Sequence, residues 1–400
     1  MMTSPSVLKR ILGRETSLFH EATRANADRL RKAISSSRVL VIGAGGSIGS
    51  AFVKTLIPYA PAALHLVELN ENALVALVRD LHAEGGAPRG EFATYAIGFD
   101  EPEFAAFLRA RGPFDYVLNF AALKHVRSER DPFTAMRMLR VNVLANRRLV
   151  ERLAPCPPRR FFCVSSDKAV NPASLMGASK AFMERVGLHY ADRVSFSSAR
   201  FANVAFSAGS LLASFVTRLR RGQPLAAPTD VRRYFISEAE AGELCLLGCF
   251  CGRNREIFIP QLRAREDLKT FSEIAEIMLE EQGLRPRYCA TAAEAVALAR
   301  TRRPGDPWPC VFAPSNTSGE KPFEEFSGAD EEVEVGRYPG VSVVVRPRQT
   351  PPEVLEEALN ELTARRASGG WTKEDLVATV RRVTPEFQHV ERHADLDHKL

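Results

Sequence analysis

The chain has 400 residues, of which 45% are hydrophobic and 26% are charged, and its formal net charge at pH 7 is +6. This composition is ordinary for a globular protein with a sizeable core and about two or three domains. The basic excess is spread along the chain without a concentrated stripe or known motif, which argues against a nucleic-acid-binding protein. Phosphate-bearing small molecules suit a modest positive charge equally well.

The sequence carries no signal for membrane insertion or export. Its apolar runs are shorter than the roughly 18–20 residues of a membrane span, and its first residues lack a hydrophobic secretory segment with a cleavage site. Cys245, Cys249 and Cys251 crowd one apolar helical stretch without the paired spacing of zinc ligands. We therefore expect a cytoplasmic protein with thiols in its core and no bound metal.

The predicted elements begin with a helical extension, residues 1–36, whose apolar side chains recur at roughly helical spacing. We expect it to pack on the body of the protein or on another subunit. From Arg38 onward, short apolar stretches typical of strands alternate with polar stretches that are compatible with helices. The predicted strands are 38–44, 63–69, 93–99, 115–121, 160–166 and 194–204. The helices predicted between them include 72–85, 131–153 and 173–191.

This alternation predicts an α/β fold with a Rossmann-type, doubly wound parallel sheet covered by helices on both faces. After about residue 205 the alternation weakens, which indicates a smaller substrate-binding domain. Further helices are predicted at 208–221, 238–251, 268–283, 291–302, 350–366 and 372–383. The expected parts are an N-terminal helical extension (1–36), a NAD-binding Rossmann domain (37–205), a substrate-binding region (206–345) and a C-terminal helical tail (346–400).

A glycine-rich stretch, VIGAGGSIGS, ends the first predicted strand and opens a helix. Glycines there let the backbone approach a pyrophosphate, and the helix start offers N–H donors. Glu68 ends the second strand about 20 residues further on, where a carboxylate can bind ribose hydroxyls and repel a 2′-phosphate, so NAD is favoured over NADP. The residues predicted to bind the cofactor here are Gly43, Gly46, Ser47, Ile48, Gly49 and Glu68. The alternative is a glycine turn without a ligand.

The glycine spacing, G-x-x-G-x-x-G, resembles that of the short-chain dehydrogenases, and two other features fit them. Ala121 and Ala122 end the fourth strand, where small side chains would line the cofactor. Asn142 occupies the place of the asparagine that these enzymes carry in the following helix. A buried asparagine can also serve plain hydrogen bonding in the core.

The stretch VSSDKAVNPASLMGASK has the spacing of a short-chain dehydrogenase active site but lacks its tyrosine. Ser166, Asp167 and Lys168 stand at a strand end, where side chains reach the crevice above a parallel sheet. Lys180 follows on a helix, and Met176 fills the tyrosine position one turn before it. The alternative interpretation is a helix cap followed by a solvated lysine.

Several motifs together resemble a narrower family, the nucleotide-sugar 4,6-dehydratases of bacterial polysaccharide biosynthesis. These are extended short-chain dehydrogenases, typified by the UDP-N-acetylglucosamine 4,6-dehydratases. The resemblance is carried by FAALKHVRSERDPFTAMRMLRVNVLAN, VSSDKAVNPASLMGASK, RFANVAFSAGSLLASF and RRYFISEAEAGEL, with REIFIPQL, GEKPFEEF, ILGRETSLF and the tail PEFQHVE…LDHKL. It spans most of the chain and is far more specific than the glycine loop.

This resemblance implies dehydration of a UDP-N-acetylhexosamine with tightly bound NAD, with or without inversion at C5. Lys168 would be the base at C5 and Asp167 the acid at C6, while Ser166 would hydrogen-bond the C4 hydroxyl. Lys180 would hold the nicotinamide ribose, and Met176 occurs at the tyrosine position in several such dehydratases. Family members often form homo-oligomers, so we expect one here.

The resemblance also suggests residues for the nucleotide sugar, each of which alone could be an ordinary polar side chain. They are Lys124, His125, Asn203, Ser210 and Arg233. Two other functions stay open. A nucleotide-sugar 4-epimerase would keep the fold but normally relies on the missing tyrosine. A catalytically inactive NAD-binding sensor or scaffold protein would have lost its chemistry with that residue.

Overall fold

The computed structural model describes residues 4–86, 90–315, 319 and 321–389. Its helices are α1 Pro5–Leu12, α2 His20–Ala25, α3 Ala27–Ser35, α4 Ser47–Leu56, α5 Glu71–Ala83, α6 Pro102–Arg111, α7 Pro132–Leu139, α8 Ala145–Leu153, α9 Leu175–His189, α10 Leu211–Arg220, α11 Glu238–Phe250, α12 Ala264–Asp267, α13 Phe271–Glu280, α14 Ala292–Thr301, α15 Pro352–Ser368 and α16 Lys373–Val383. A π-helical turn, Arg140–Leu144, joins α7 to α8.

The strands are β1 Arg38–Ile42, β2 Ala63–Val67, β3 Glu91–Tyr95, β4 Tyr116–Asn119, β5 Arg160–Ser166, β6 Phe196–Phe201, β7 Asn203–Val204, β8 Leu225–Pro228, β9 Arg232–Ile236, β10 Glu256–Pro260, β11 Leu268–Thr270, β12 Pro286–Tyr288, β13 Trp308–Ala313, β14 Glu332–Tyr338 and β15 Val341–Arg346.

Nine strands form the central sheet, in the order β3–β2–β1–β4–β5–β6–β10–β15–β14. The first seven run parallel to one another, and β15 and β14 close one edge, with β15 antiparallel to both β10 and β14. Strands β1, β2, β4 and β5 are almost entirely buried, as expected when helices cover both faces of a parallel sheet. The strand order reverses between β1 and β4, where ligands bind in doubly wound folds. The predicted α/β Rossmann-type fold is confirmed.

The two faces of the sheet bury separate apolar layers. Helices α6, α7, α8, α9, α15 and α16 supply one layer, and α3, α4, α5 and α11 supply most of the other. The N-terminal extension packs on the body of its own chain, α1 against α13 and α2 and α3 against α11. A third apolar cluster lies between α1, α10 and α13.

The region 206–345, predicted as one substrate-binding region, contributes to two parts of the molecule. Strands β10, β14 and β15 belong to the central sheet, and helix α11 packs on one of its faces. The remainder contributes to two three-stranded sheets, β11–β9–β7 and β12–β13–β8, the first of which is completed by β7 from just before this region. The predicted strand 194–204 is divided into β6 and β7, so its last residues leave the central sheet.

The crowded cysteines are core residues. Cys245, Cys249 and Cys251 are buried, and burial raises the pKa of Cys251 to about 11 and the pKa values of the other two thiols further. Within the described residues, no group of three or more histidine, cysteine or acidic side chains could hold a metal ion. In the same part of the chain, no helix combines the length and apolar character needed to cross a bilayer.

Candidate active site

The loop between β1 and α4 is shaped by its glycines. Gly43 has a φ of +74°, and a Cβ there would lie 2.5 Å from the backbone nitrogen of Ala121. A Cβ at Gly49 would lie 2.2 Å from the carbonyl oxygen of Gly43. Gly46 precedes the first turn of α4 without a side chain to cap it, which leaves N–H groups for an anionic ligand. The Ser47 hydroxyl accepts a hydrogen bond from the backbone N–H of Ala208 at 2.9 Å.

Glu68 follows β2 directly and holds this loop. Its Oε2 accepts a hydrogen bond from the Gly45 N–H at 3.0 Å, and its Oε1 accepts one from the Asn70 N–H at 2.9 Å. The carboxylate is half-buried beside the glycine loop. A carboxylate at this position can accept hydrogen bonds from the hydroxyl groups of a ribose. The loop and Glu68 therefore fit a dinucleotide such as NAD.

Asn142 is fully buried in the π-helical turn and bonds to protein groups. Its Oδ1 accepts from the Leu123 N–H, and its Nδ2 donates to the Leu123 carbonyl and to the Ser179 hydroxyl, each at 2.9 Å. These are hydrogen bonds of the kind that a buried asparagine makes within a protein core. They tie α9 to the loop that carries Ala121 and Ala122 at the end of β4.

The Ser166–Asp167–Lys168 sequence forms a tight turn at the end of β5. The Ser166 hydroxyl donates to Asp167 Oδ1 at 2.8 Å and accepts from the Lys168 N–H at 3.2 Å. Lys168 Nζ lies 3.0 Å from the same Asp167 oxygen and 3.2 Å from Asn203 Oδ1. Asp167 is 1% exposed, and within the described residues its buried Oδ2 has no hydrogen-bond partner. The turn thus brings a hydroxyl, a carboxylate and an amine into one hydrogen-bonded group.

Helix α9 carries the other two predicted catalytic residues behind this turn. Lys180 is 5% exposed and its Nζ donates to the Val164 carbonyl of β5 at 2.8 Å. Burial lowers the pKa of Lys180 to about 8. Met176 is also buried, and its backbone N–H donates to Glu129 Oε2 at 3.1 Å. Met176 belongs to the apolar layer on this face, so its side chain handles no proton.

The residues suggested for the nucleotide sugar lie on four segments. Burial is the largest cause that lowers the pKa values of Lys124 and His125. The His125 ring packs closely against Gly209: a Cβ at this glycine would lie 2.7 Å from His125 Cε1. Ser210 caps α10, and its hydroxyl accepts from the Ala213 N–H at 3.2 Å. Asn203 is the member that contacts the Ser166–Asp167–Lys168 turn, through its hydrogen bond with Lys168.

Arg233, suggested for binding the nucleotide sugar, is 3% exposed on β9. Its Nη1 donates to the carbonyls of Lys321 and Pro322 at 2.9 and 3.4 Å. Its Nη2 lies 3.8 Å from Glu324 Oε1, which also lies 3.8 Å from Lys168 Nζ. Sequence reasoning missed Glu324. Glu324 belongs to the charged stretch GEKPFEEF, which the sequence analysis noted. Nothing in that stretch predicts that Glu324 lies beside a turn more than 150 residues earlier.

Comparisons with known proteins agree with this architecture. The family described as "Polysaccharide biosynthesis protein" matches residues 39–306. A protein of Methanocaldococcus jannaschii, named an uncharacterized membrane protein, is 33% identical over 278 residues, covering 67% of this chain and 78% of that protein. The capsular polysaccharide biosynthesis protein CapD of Staphylococcus aureus is 30% identical over 237 residues, covering 58% of this chain but only 39% of CapD. The dTDP-glucose 4,6-dehydratase DesIV of Streptomyces venezuelae, solved with NAD and TYD bound, has a TM-score of 0.56 at 20% identity, covering 84% of this chain and 99% of that one.

A parallel sheet with a glycine loop after β1 and a hydrogen-bonded polar turn after β5 defines the structure as a Rossmann-type α/β protein. The family match covers well over half of the chain. The chain therefore belongs to the polysaccharide biosynthesis protein family, which confirms the membership that its motifs predicted.

Proposed function

We propose that this protein is a nucleotide-sugar 4,6-dehydratase that acts on a UDP-N-acetylhexosamine, with UDP-N-acetylglucosamine as the first substrate to test. The observation that carries the proposal is the turn in which Ser166, Asp167 and Lys168 share hydrogen bonds at the carboxyl end of β5. The 4,6-dehydratase named among the solved structures and the polysaccharide family support it.

The cofactor we propose is NAD, held along the glycine loop with Glu68 at its adenosine ribose and Lys180 at its nicotinamide ribose. When bound, its nicotinamide ring would take a hydrogen with its electron pair from sugar C4 and return it to C6. The chain's own residues would then handle the protons and orient the sugar. Because the cofactor is restored in each turnover, no external oxidant or reductant is consumed.

The geometry of the turn suggests how one proton is relayed without a tyrosine. The Ser166 hydroxyl can receive the C4 hydroxyl proton while it passes its own to Asp167 Oδ1, 2.8 Å away. The protonated Asp167 can then donate to the C6 hydroxyl, which leaves as water. Lys168 Nζ takes the C5 proton, which the C4 ketone acidifies, and can return it to C5, on the same face or on the opposite one. In this scheme Met176 packs in the core and has no proton to carry.

The proposal is tested by incubating the purified protein with UDP-N-acetylglucosamine and following product mass. We expect a product lighter than the substrate by one water, formed without added cofactor. Lys168→Ala should abolish this product, while Lys32→Ala, on the exposed face of α3, should leave it unchanged.

Three results would each contradict part of this proposal. A product of unchanged mass would indicate an epimerase. A lighter product that Lys168→Ala forms at the wild-type rate would remove the proposed base. No mass change with a panel of UDP-, GDP- and CDP-sugars, despite bound NAD, would favour an inactive sensor or scaffold.

A further inference from the structure

A segment far along the sequence lies against the catalytic turn. The Lys321 ammonium donates to the Val170 carbonyl at 2.7 Å, and Asn171 Nδ2 donates to Glu325 Oε2 at 3.1 Å. A Cβ at Gly319 would lie 2.8 Å from the Ser174 Cβ. These contacts are made to Val170, Asn171 and Ser174, which follow Lys168 closely in the sequence. The described part of 319–326 is therefore held close to Lys168.

Glu324 is the buried member of this segment, with 3% of its surface exposed. Its Oε1 lies 3.8 Å from Lys168 Nζ and 3.8 Å from Arg233 Nη2, and its Oε2 lies 3.3 Å from Lys321 Nζ. One carboxylate thus stands among three cations from three parts of the chain. Charges at such distances interact strongly when protein replaces water around them. Without Glu324, these cations would face one another with less compensation.

Lys168 Nζ is surrounded by oxygens from three separate elements. Asp167 Oδ1 lies at 3.0 Å, Asn203 Oδ1 at 3.2 Å and Glu324 Oε1 at 3.8 Å. The first two distances are those of hydrogen bonds, while the Glu324 carboxylate attracts the amine as a nearby negative charge. The lysine side chain is long and flexible, and it loses its freedom only where such contacts hold it.

We propose that Glu324 is a positioning residue, which holds the amine of Lys168 at its working place and couples it to Arg233. The proposal rests on the function proposed above, in which Lys168 is the base at C5. Glu324 itself touches no reacting atom. Arg233 also bonds to the Lys321 and Pro322 carbonyls, which do not depend on the side chain at position 324, so we expect Glu324 to matter more for Lys168 than for substrate binding.

The first measurement is steady-state kinetics of Glu324→Gln in the full chain. Because its effect falls on the position of Lys168, we expect kcat to drop at least about tenfold while KM changes by less than about threefold. Glu324→Asp keeps the charge on a shorter stem and should recover part of the lost kcat. Glu325→Gln is the matched control, since Glu325 is exposed and bonds to Asn171 instead of Lys168.

The second measurement needs no substrate. Limited acylation with an amine-reactive reagent, read by peptide mass spectrometry, reports how available each lysine amine is. With Glu324→Gln, we expect Lys168 to be labelled at least about threefold faster relative to Lys32, because its amine is less constrained. Glu325→Gln should label like the wild type.

The two measurements separate this inference from the proposed function. Faster labelling of Lys168 in a protein that converts no nucleotide sugar would support the positioning role and reject the dehydratase. Normal labelling and normal kcat in folded Glu324→Gln would overturn the positioning role and leave the dehydratase standing. If Glu324→Gln does not fold, Glu324→Asp decides: slower turnover with faster labelling supports the role, and wild-type values for both reject it.

Discussion

Lys180 has an unusual environment for a lysine. The side chain is 5% exposed, and Nζ donates to one carbonyl, that of Val164. Burial disfavours the charged form, which lowers the pKa of Lys180 to about 8, and the nearest acidic groups offset this only in part. Between this value and the ordinary lysine value the folded state binds fewer protons than the unfolded state.

The free energy of unfolding should therefore depend on pH through Lys180. A buried ammonium is unfavourable below about pH 8, and the penalty disappears as pH rises from about 8 to about 10.5. Lys180→Met removes the charge, so we expect the variant to gain stability relative to the wild type at pH 7, and this gain to shrink by up to about 3 kcal/mol at pH 10. Urea unfolding of matched preparations at the two pH values measures it. A difference independent of pH would mean that Lys180 is not buried as described.

At this scale, sequence reasoning works where the residues of a site are close along the chain. Ser166, Asp167 and Lys168 could be singled out because they are consecutive at a strand end. Glu324 could not, because its place beside Lys168 depends on a loop that returns over the turn after many intervening elements. The same limit applies to Arg233, whose burial among the carbonyls of Lys321 and Pro322 no local pattern reveals.

The approach of α9 to the Ser166–Asp167–Lys168 turn depends on one glycine. A Cβ at Gly177 would lie 2.3 Å from the carbonyl oxygen of Lys168, a backbone atom that cannot move away alone. The helix begins beside it, where the Ser174 hydroxyl accepts from the Gly177 N–H at 3.1 Å. The turn and the helix that carries Lys180 are thus in direct backbone contact.

Gly177→Ala should therefore separate these two elements, although alanine is the better helix former. We expect kcat to fall by about a hundredfold, since shifts near 1 Å at a reacting group have effects of that size. Steady-state kinetics and circular dichroism together test this. Gly370→Ala, which meets no atom closer than 3.8 Å, is the control and should keep wild-type kinetics. A fully active Gly177→Ala protein would show that the contact does not position the turn.

Element by element, prediction succeeded where a strand is apolar and a long helix follows. Strands β1, β2, β4 and β5 and helices α5, α9 and α11 lie close to their predicted bounds. Strands β8 to β15 were not predicted, because most are short or half exposed, and their pairing joins distant segments. Strand β14 is an example, because it lies at the antiparallel edge of the sheet and most of its side chains are exposed.

The molecule as a whole encloses α9 from several directions. Arg200 on β6, which is 3% exposed, bonds Glu184 of α9 and Glu331 before β14 at 2.7 and 2.6 Å. On the other side, Arg185 of α9 pairs with Glu386 at 2.6 Å, beyond α16. Buried charges of this kind are costly to leave unpaired, so they favour one arrangement of these segments. The helix that carries Lys180 is therefore held by residues from the Rossmann sheet, its antiparallel edge and the C-terminal tail.

The C-terminal helices also contribute much of the apolar layer over α9, which ties the tail to the stability of the whole chain. Leu359 of α15 is fully buried in that layer. Leu359→Ala removes apolar contact and leaves a cavity, so we expect it to lower the free energy of unfolding by about 2–5 kcal/mol. Val335→Ala is the control, because Val335 is 68% exposed on β14 and its loss should change stability by no more than about 0.5 kcal/mol. Urea unfolding followed by circular dichroism compares the two. If Leu359→Ala unfolds in a separate early transition that leaves the sheet intact, the tail is an independent unit and not part of the core that supports the active site.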